Sequence, residues 1–215
     1  MRWEPWGFTN EVVLRPILKP VVMQIMPMAE LRLPKVGQKV GYDLLTGDWV
    51  APHGRGVHTD LEFEAQGYYK SHNDHDSTVT VRLPNPGDGV IVVTTNQFSR
   101  SELRLPRSAP EDGYAKEVSW HFKSSLGPDG FRRDVRPEFA DGFVFRFRTV
   151  LDEKGNVRSA RYAKMLMVQP IRFGGMADGS FLQLGTLYLN PTLNDRNLEE
   201  SREQFINAEG NLSGY

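Results

Sequence analysis

Hydrophobic and polar positions alternate along most of this chain with a period of two. Between residues 57 and 69, Val57, Thr59, Leu61, Phe63 and Ala65 fall on one side and His58, Asp60, Glu62 and Glu64 on the other. That is the period of a half-buried strand. Residues 71–76 form a polar loop. Val79, Val81 and Leu83 then alternate with Thr78, Thr80 and Arg82, which predicts a second strand. The run Pro84-Asn85-Pro86-Gly87-Asp88-Gly89 is a turn cluster. The continuous, β-branched run that follows at 90–94 predicts a central strand. Further strands are expected at 102–105, 117–122, 142–150, 157–168 and 181–189, with a Gly-containing hairpin loop at 151–156. Roughly six to nine strands separated by turns predict an all-β fold, an antiparallel β-sandwich of jelly-roll-like type.

Two segments depart from this rhythm. Residues 1–40 are apolar and punctuated by prolines at 5, 16, 20, 27 and 34, which forbid a long helix and remove ladder donors. They read as an extended arm ahead of a single β-sandwich domain at 41–215. So apolar a segment either lies on its own domain or docks on another chain. At the other end, Asn194 or Asp195 can cap a short helix over 197–208 that gathers Leu198, Phe205 and Ile206, with Gly210 as its stop.

Composition narrows the function classes. The 215 residues carry 26 basic and 27 acidic side chains, net −1, without the basic bias that marks most nucleic-acid binders. There is no cysteine, which excludes disulfides, thiolate metal sites and a Cys nucleophile. No run of apolar residues reaches the roughly 18 that a transmembrane helix needs.

Several segments resemble those of uncharacterised bacterial β-rich proteins that are often predicted to be exported. They are Gly41-Tyr42-Asp43, Gly47-Asp48-Trp49, Pro52-His53-Gly54-Arg55-Gly56, the 84–89 turn cluster, Phe147-Arg148-Thr149-Val150 and Tyr188-Leu189-Asn190-Pro191. The resemblance spans about residues 41–196 and consists of turns and strand edges, so it implies a fold rather than an activity. It favours the cell envelope or the extracellular space over the cytoplasm.

Three constellations offer chemistry. Asp60, Glu62 and Glu64 alternate on one strand, where same-face neighbours lie about 7 Å apart. Retaining glycosidases hold two carboxyls about 5–5.5 Å apart and inverting ones about 6.5–9.5 Å. The run resembles the carboxylate strand of laminarinase-like β-sandwich hydrolases, Glu-x-Asp-x-Glu, but reads Asp-x-Glu-x-Glu. Trp49, Tyr68 and Tyr69 are candidate sugar-stacking rings. The simpler account is a solvated strand edge with core aromatics. Second, His72, Asp74, His75 and Asp76 combine imidazole and carboxylate, a donor set for Zn²⁺ or Ca²⁺. A hydrated hairpin loop is the simpler account of them. Third, Trp3, Trp6, Val13, Leu14, Ile17, Leu18, Val22 and Ile25 in the arm are candidate anchors for strand addition to a protein partner.

No nucleophile elbow, phosphate loop or dinucleotide fingerprint occurs. His121, between Trp120 and Phe122, reads as a structural strand histidine. The expectation is a non-catalytic structural or binding protein, a subunit of a homo- or hetero-oligomer that docks through its arm. A carbohydrate-binding module or glycoside hydrolase is the alternative.

Overall fold

A computed structural model describes residues 16–28, 31–71, 73–94, 105–127, 130–135, 140, 142–166, 172–176, 179–201, 203–207 and 210–214. In chain order its strands are β1 (Gln24–Pro27), β2 (Leu31–Arg32), β3 (Val40–Asp43), β4 (Asp48–Trp49), β5 (Leu61–Ser71), β6 (Asp74–Arg82), β7 (Gly89–Val93) and β8 (Glu117–Gly127). They continue as β9 (Gly130–Val135), β10 (Gly142–Leu151), β11 (Val157–Leu166), β12 (Arg172–Met176), β13 (Gly179–Gln183), β14 (Thr186–Leu189), β15 (Gln204–Ile206) and β16 (Leu212–Gly214). Among the described residues there is no helix.

The strands form a seven-stranded sheet in the order β16-β15-β1-β14-β11-β10-β7 and a six-stranded sheet in the order β4-β3-β5-β6-β8-β9. A small sheet has the order β12-β13-β2. Every pairing between these strands is antiparallel except the single parallel contact of β1 with β15. The fold is therefore all-β and sandwich-like. Period-two alternation sends Leu61, Phe63, Ala65, Val79, Val81 and Trp120 inward from the six-stranded sheet. They meet Phe143, Phe145, Phe147, Ala163, Met165, Leu187 and Leu189 from the seven-stranded one. Trp120 and Phe143 touch edge-to-face across the two sheets, ring centres 5.5 Å apart.

The other face of the seven-stranded sheet is covered as well. Met23, Val144, Ala160 and Tyr162 pack there with Ala109 and Leu198, which belong to the irregular stretches before β8 and after β14. A sheet buried on both faces explains why β10 reads Phe-Val-Phe rather than alternating with polar residues.

Four expectations are corrected. The C-terminal helix is not formed. Its backbone groups are taken by tertiary partners: the Leu198 amide donates to Arg107 O, the Ser201 amide to Val21 O and the Ile206 amide to Met23 O. Residues 204–206 are strand β15. The run at 90–94, expected to be central, is the edge strand β7. It pairs with β10 on one side and makes a single bridge, Val90 to Ala115, on the other. Of the polar loop expected at 71–76, Ser71 ends β5 and Asp74, His75 and Asp76 are already in β6. The strand expected at 181–189 is cut into β13 and β14 around Gly185. There a Cβ would come within 1.7 Å of Leu166 O. The strand expected at 102–105 lies outside the described residues except for Leu105, which is buried and not in a strand.

Of the arm, residues 16–28 and 31–40 are described. Strand β1 lies inside the seven-stranded sheet, between β14 and β15. Ahead of it the chain is bonded along residues 197–201. The Glu199 carboxylate accepts the amides of Leu18 and Lys19, both at 3.1 Å, and faces Arg107 Nε at 3.1 Å. Asn197 donates to Lys19 O and Arg107 to Pro16 O, each at 2.7 Å.

Candidate functional site

The outer face of β5, β6 and β8 carries the expected carboxylate strand. Glu62 and Glu64 alternate with the buried Leu61, Phe63 and Ala65, as the sequence period requires. Cross-strand register puts Arg82 opposite Glu62 and Glu117 opposite Arg82. Arg82 therefore bonds Glu64 Oε2 at 2.7 Å through Nη1 and Glu117 Oε2 at 2.7 Å through Nε. Glu62 lies 3.2 Å from Lys39 Nζ and 3.8 Å from Arg82. The bonds from Arg82, then from Gln66, hold the Glu64 carboxyl below its ordinary range. Both glutamates sit in a row of ion pairs in which each acid faces a cation.

Asp60 leaves that face. It precedes β5, its amide bonds Tyr42 O, and its side chain turns into the protein, where none of it reaches solvent. Arg148 reaches it from the opposite sheet: Nε to Oδ1 at 2.9 Å and Nη2 to Oδ2 at 3.1 Å, with the Leu44 amide on Oδ2 at 2.9 Å. The same guanidinium donates to Asp43 Oδ1 at 2.6 Å. Asp43 also accepts the amides of Leu45 and Thr46 on one oxygen and of Val57 and His58 on the other. One carboxylate thus ties both ends of the loop between β3 and β5. Burial works against ionised Asp43, but the amides of His58, Thr46 and Val57 and the charge of Arg148 outweigh it, and its carboxyl lies below the ordinary range. For Asp60 burial wins over the bonds from Arg148 and Leu44, and its carboxyl is pushed up.

Arg148 owes this position to a bulge in β10. Pairing with β11 shifts between Phe147 and Val150, and Arg148 takes a left-handed φ of 51°. A third buried carboxylate, Asp88, holds the bulge by accepting the amides of Arg148 at 3.1 Å and Thr149 at 2.7 Å. Sequence reasoning missed Asp43, Asp88 and Arg148. Asp43 and Asp88 each stand in a Gly-containing turn, a readable hint of a side-chain cap. Nothing in the run Phe-Arg-Phe-Arg-Thr marks where the bulge falls.

The hairpin between β5 and β6 holds the other candidates. Asp74 and Asp76 point to one face of β6 and His75 to the other, because strand neighbours alternate. Asp74 lies 3.4 Å from Lys70. Asp76 is bonded by His121 Nε2 at 2.8 Å and Lys123 at 3.0 Å, which lower its carboxyl. His75 stacks on Tyr69, ring centres 5.4 Å apart. His72 lies outside the described residues. Among the described residues no group of three or more acidic or imidazole side chains is placed to hold a metal ion.

Of the candidate stacking rings, Trp49 is in the core, edge-to-face with Tyr42 and Phe63. Tyr68 is 46% exposed, on the same face as Glu62 and Glu64, with Lys70 Nζ 5.2 Å from its ring centre. Of the candidate anchors, Ile17, Val22 and Ile25 are half-buried on this chain and Leu18 is 63% exposed. Trp3, Trp6, Val13 and Leu14 lie outside the described residues.

Comparison of the chain with protein-family models, with curated proteins and with solved structures gave no match. Among the described residues no helix is long and apolar enough to cross a membrane.

Proposed function

We propose that this protein is a non-catalytic structural or binding subunit of a larger assembly, built on a jelly-roll-like sandwich and docking through its N-terminal arm. One observation carries the reading. Leu18 projects an apolar side chain into solvent from a backbone that Glu199 fixes on both sides of it, at the Leu18 and Lys19 amides. An apolar group held outward on a preorganised backbone loses little entropy on contact and gains its full burial. The sequence before it supplies Trp3, Trp6, Val13 and Leu14 in the same arm. The ion pairs that Glu62 and Glu64 make with Lys39 and Arg82 support the non-catalytic side of the reading.

The native mass of the full-length chain tests it. A particle well above 24.4 kDa that falls to the monomer in Leu18→Asp, with unchanged circular dichroism, is the expected result. A full-length monomer that captures no partner would sink the proposal.

A glycan-directed role is the second reading, favoured by the exposed Tyr68 on the same face as Glu62, Glu64 and Gln66. A glycan array read beside a reducing-sugar assay on wild type and Glu62→Gln separates a binding module from a hydrolase. Silence in both removes this reading.

A further inference from the structure

An edge strand offers backbone donors and acceptors to any chain that can pair with it. Folded proteins guard such edges by making them short, charged or kinked. Most edges of this fold carry a guard of that kind. In the six-stranded sheet β4 has two residues, and the sequence of β9 contains Arg132, Arg133 and Asp134. In the small sheet β2 has two residues, and β12 begins with Arg172 and contains two glycines. In the seven-stranded sheet β16 has three residues. The opposite edge, β7, has none of these devices. Its run Gly89-Val90-Ile91-Val92-Val93 carries no charge and no proline and pairs with β10 without a bulge. No charged residue follows in the sequence before Arg100.

The packing of β7 is open at the same place. Val90 and Val92 stand opposite Phe145 and Phe143, so both point to the core side of the sheet. Val90 is buried, yet Val92 is 41% exposed. The amide and carbonyl of Val90 turn away from β10 and bond Ala115. By alternation those of Val92 turn the same way. The contact with Ala115 is a single bridge, and among the described residues nothing bonds the outward groups of Val92.

We propose that β7 is an interface between two copies of this chain, paired antiparallel about a two-fold axis at Val92. A two-fold contact sets a strand against itself, so like charges on it would meet. This edge has none, and a charged partner strand would find no opposite charge on it. A second copy presents an uncharged edge of the same length and the same apolar side chains. Val92 then exchanges both backbone bonds with the partner's Val92, and the two side chains close the open end of each core. The contact is separate from the arm, since β14, β11 and β10 lie between β1 and β7.

The chain has no cysteine, so Val92→Cys supplies a single thiol that the two-fold brings opposite its own copy. Leu212→Cys, at a residue 63% exposed on the other edge of the same sheet, is the control. Under mild oxidation Val92→Cys should form a disulfide-linked dimer on the order of a hundredfold faster, because pairing raises the effective concentration of the facing thiol. Adding Leu18→Asp should leave that rate unchanged. In the wild type, the Val92 amide should be protected from hydrogen exchange in the dimer and lose that protection on dilution to the monomer. Ile91, whose amide faces β10, should stay protected throughout. Equal cross-linking rates would overturn the proposal. So would a Val92 amide that exchanges freely at every concentration, or one protected in a particle of 24.4 kDa, where its own chain covers the edge. The wild-type exchange decides the question even where the cysteine variant fails to fold.

Discussion

Arg148 carries its charge into the sandwich from a backbone conformation that most side chains avoid. Two effects can be separated there by substitution. Arg148→Ala removes the cation and strands Asp43 and Asp60. Breaking a buried pair from one side costs about 3–5 kcal/mol, to be read from urea unfolding. Arg148→Gly also removes the cation but relieves the left-handed backbone, and should be about 1 kcal/mol less damaging than Ala. Equal losses would mean that the bulge is unstrained. Asp43 sets the acid limit. Its folded-state carboxyl is lowered, so its contribution is present above 3.8 and disappears as the pH falls through the lowered value. Asp43→Asn should flatten that part of the pH–stability profile. Parity along 58–64 places Asp60 with the glutamates, and so the sequence reading sent it to solvent. Its inward turn depends on an arginine 88 residues away in the chain, a pairing no local pattern contains.

At the scale of elements, alternation is a good guide where one face is buried and the other wet, as in β5 and β6. Phe63 shows what that pattern stabilises. It lies in the core against Tyr42 and Trp49, and Phe63→Ala should lower stability by about 3–5 kcal/mol in chemical denaturation. Gly67 sits within β5 with φ of 102° and Asp76 O only 2.1 Å from where a Cβ would stand. Gly67→Ala should cost about 1–3 kcal/mol and perturb the Tyr68–Asp76 end of the ladder, seen as lost amide protection on β5 and β6. The pattern fails where tertiary bonds decide. Leu198, Phe205 and Ile206 have an approximately helical spacing, yet Val21 and Met23 compete for the same backbone donors and win. For β7 the residue types describe burial on its faces, whereas its place at an edge is set by which strand lies beyond it.

For the whole molecule, the all-β class and its antiparallel sheets follow from composition and period. The role of the arm does not, because its apolar residues suit an internal strand and a docking strand alike. The structure gives β1 an internal place, with Met23, Met26 and Met28 buried. A chain lacking residues 1–28 would lose three buried methionines and a strand with neighbours on both sides. At about 2–5 kcal/mol for each large buried side chain, that exceeds much of the 5–15 kcal/mol by which domains are stable. No cooperative melt should remain in circular dichroism. A melt close to that of the full chain would show that β1 adds little.

The contact between Leu18 and Glu199 joins residues 181 positions apart. During synthesis β1 leaves the ribosome long before its neighbours β14 and β15. At roughly 5–20 residues per second the interval is on the order of tens of seconds. Throughout it an apolar strand with unpaired backbone waits for the sheet that will receive it. An apolar strand left unpaired for that interval is a surface for a chaperone to hold until β14 and β15 arrive.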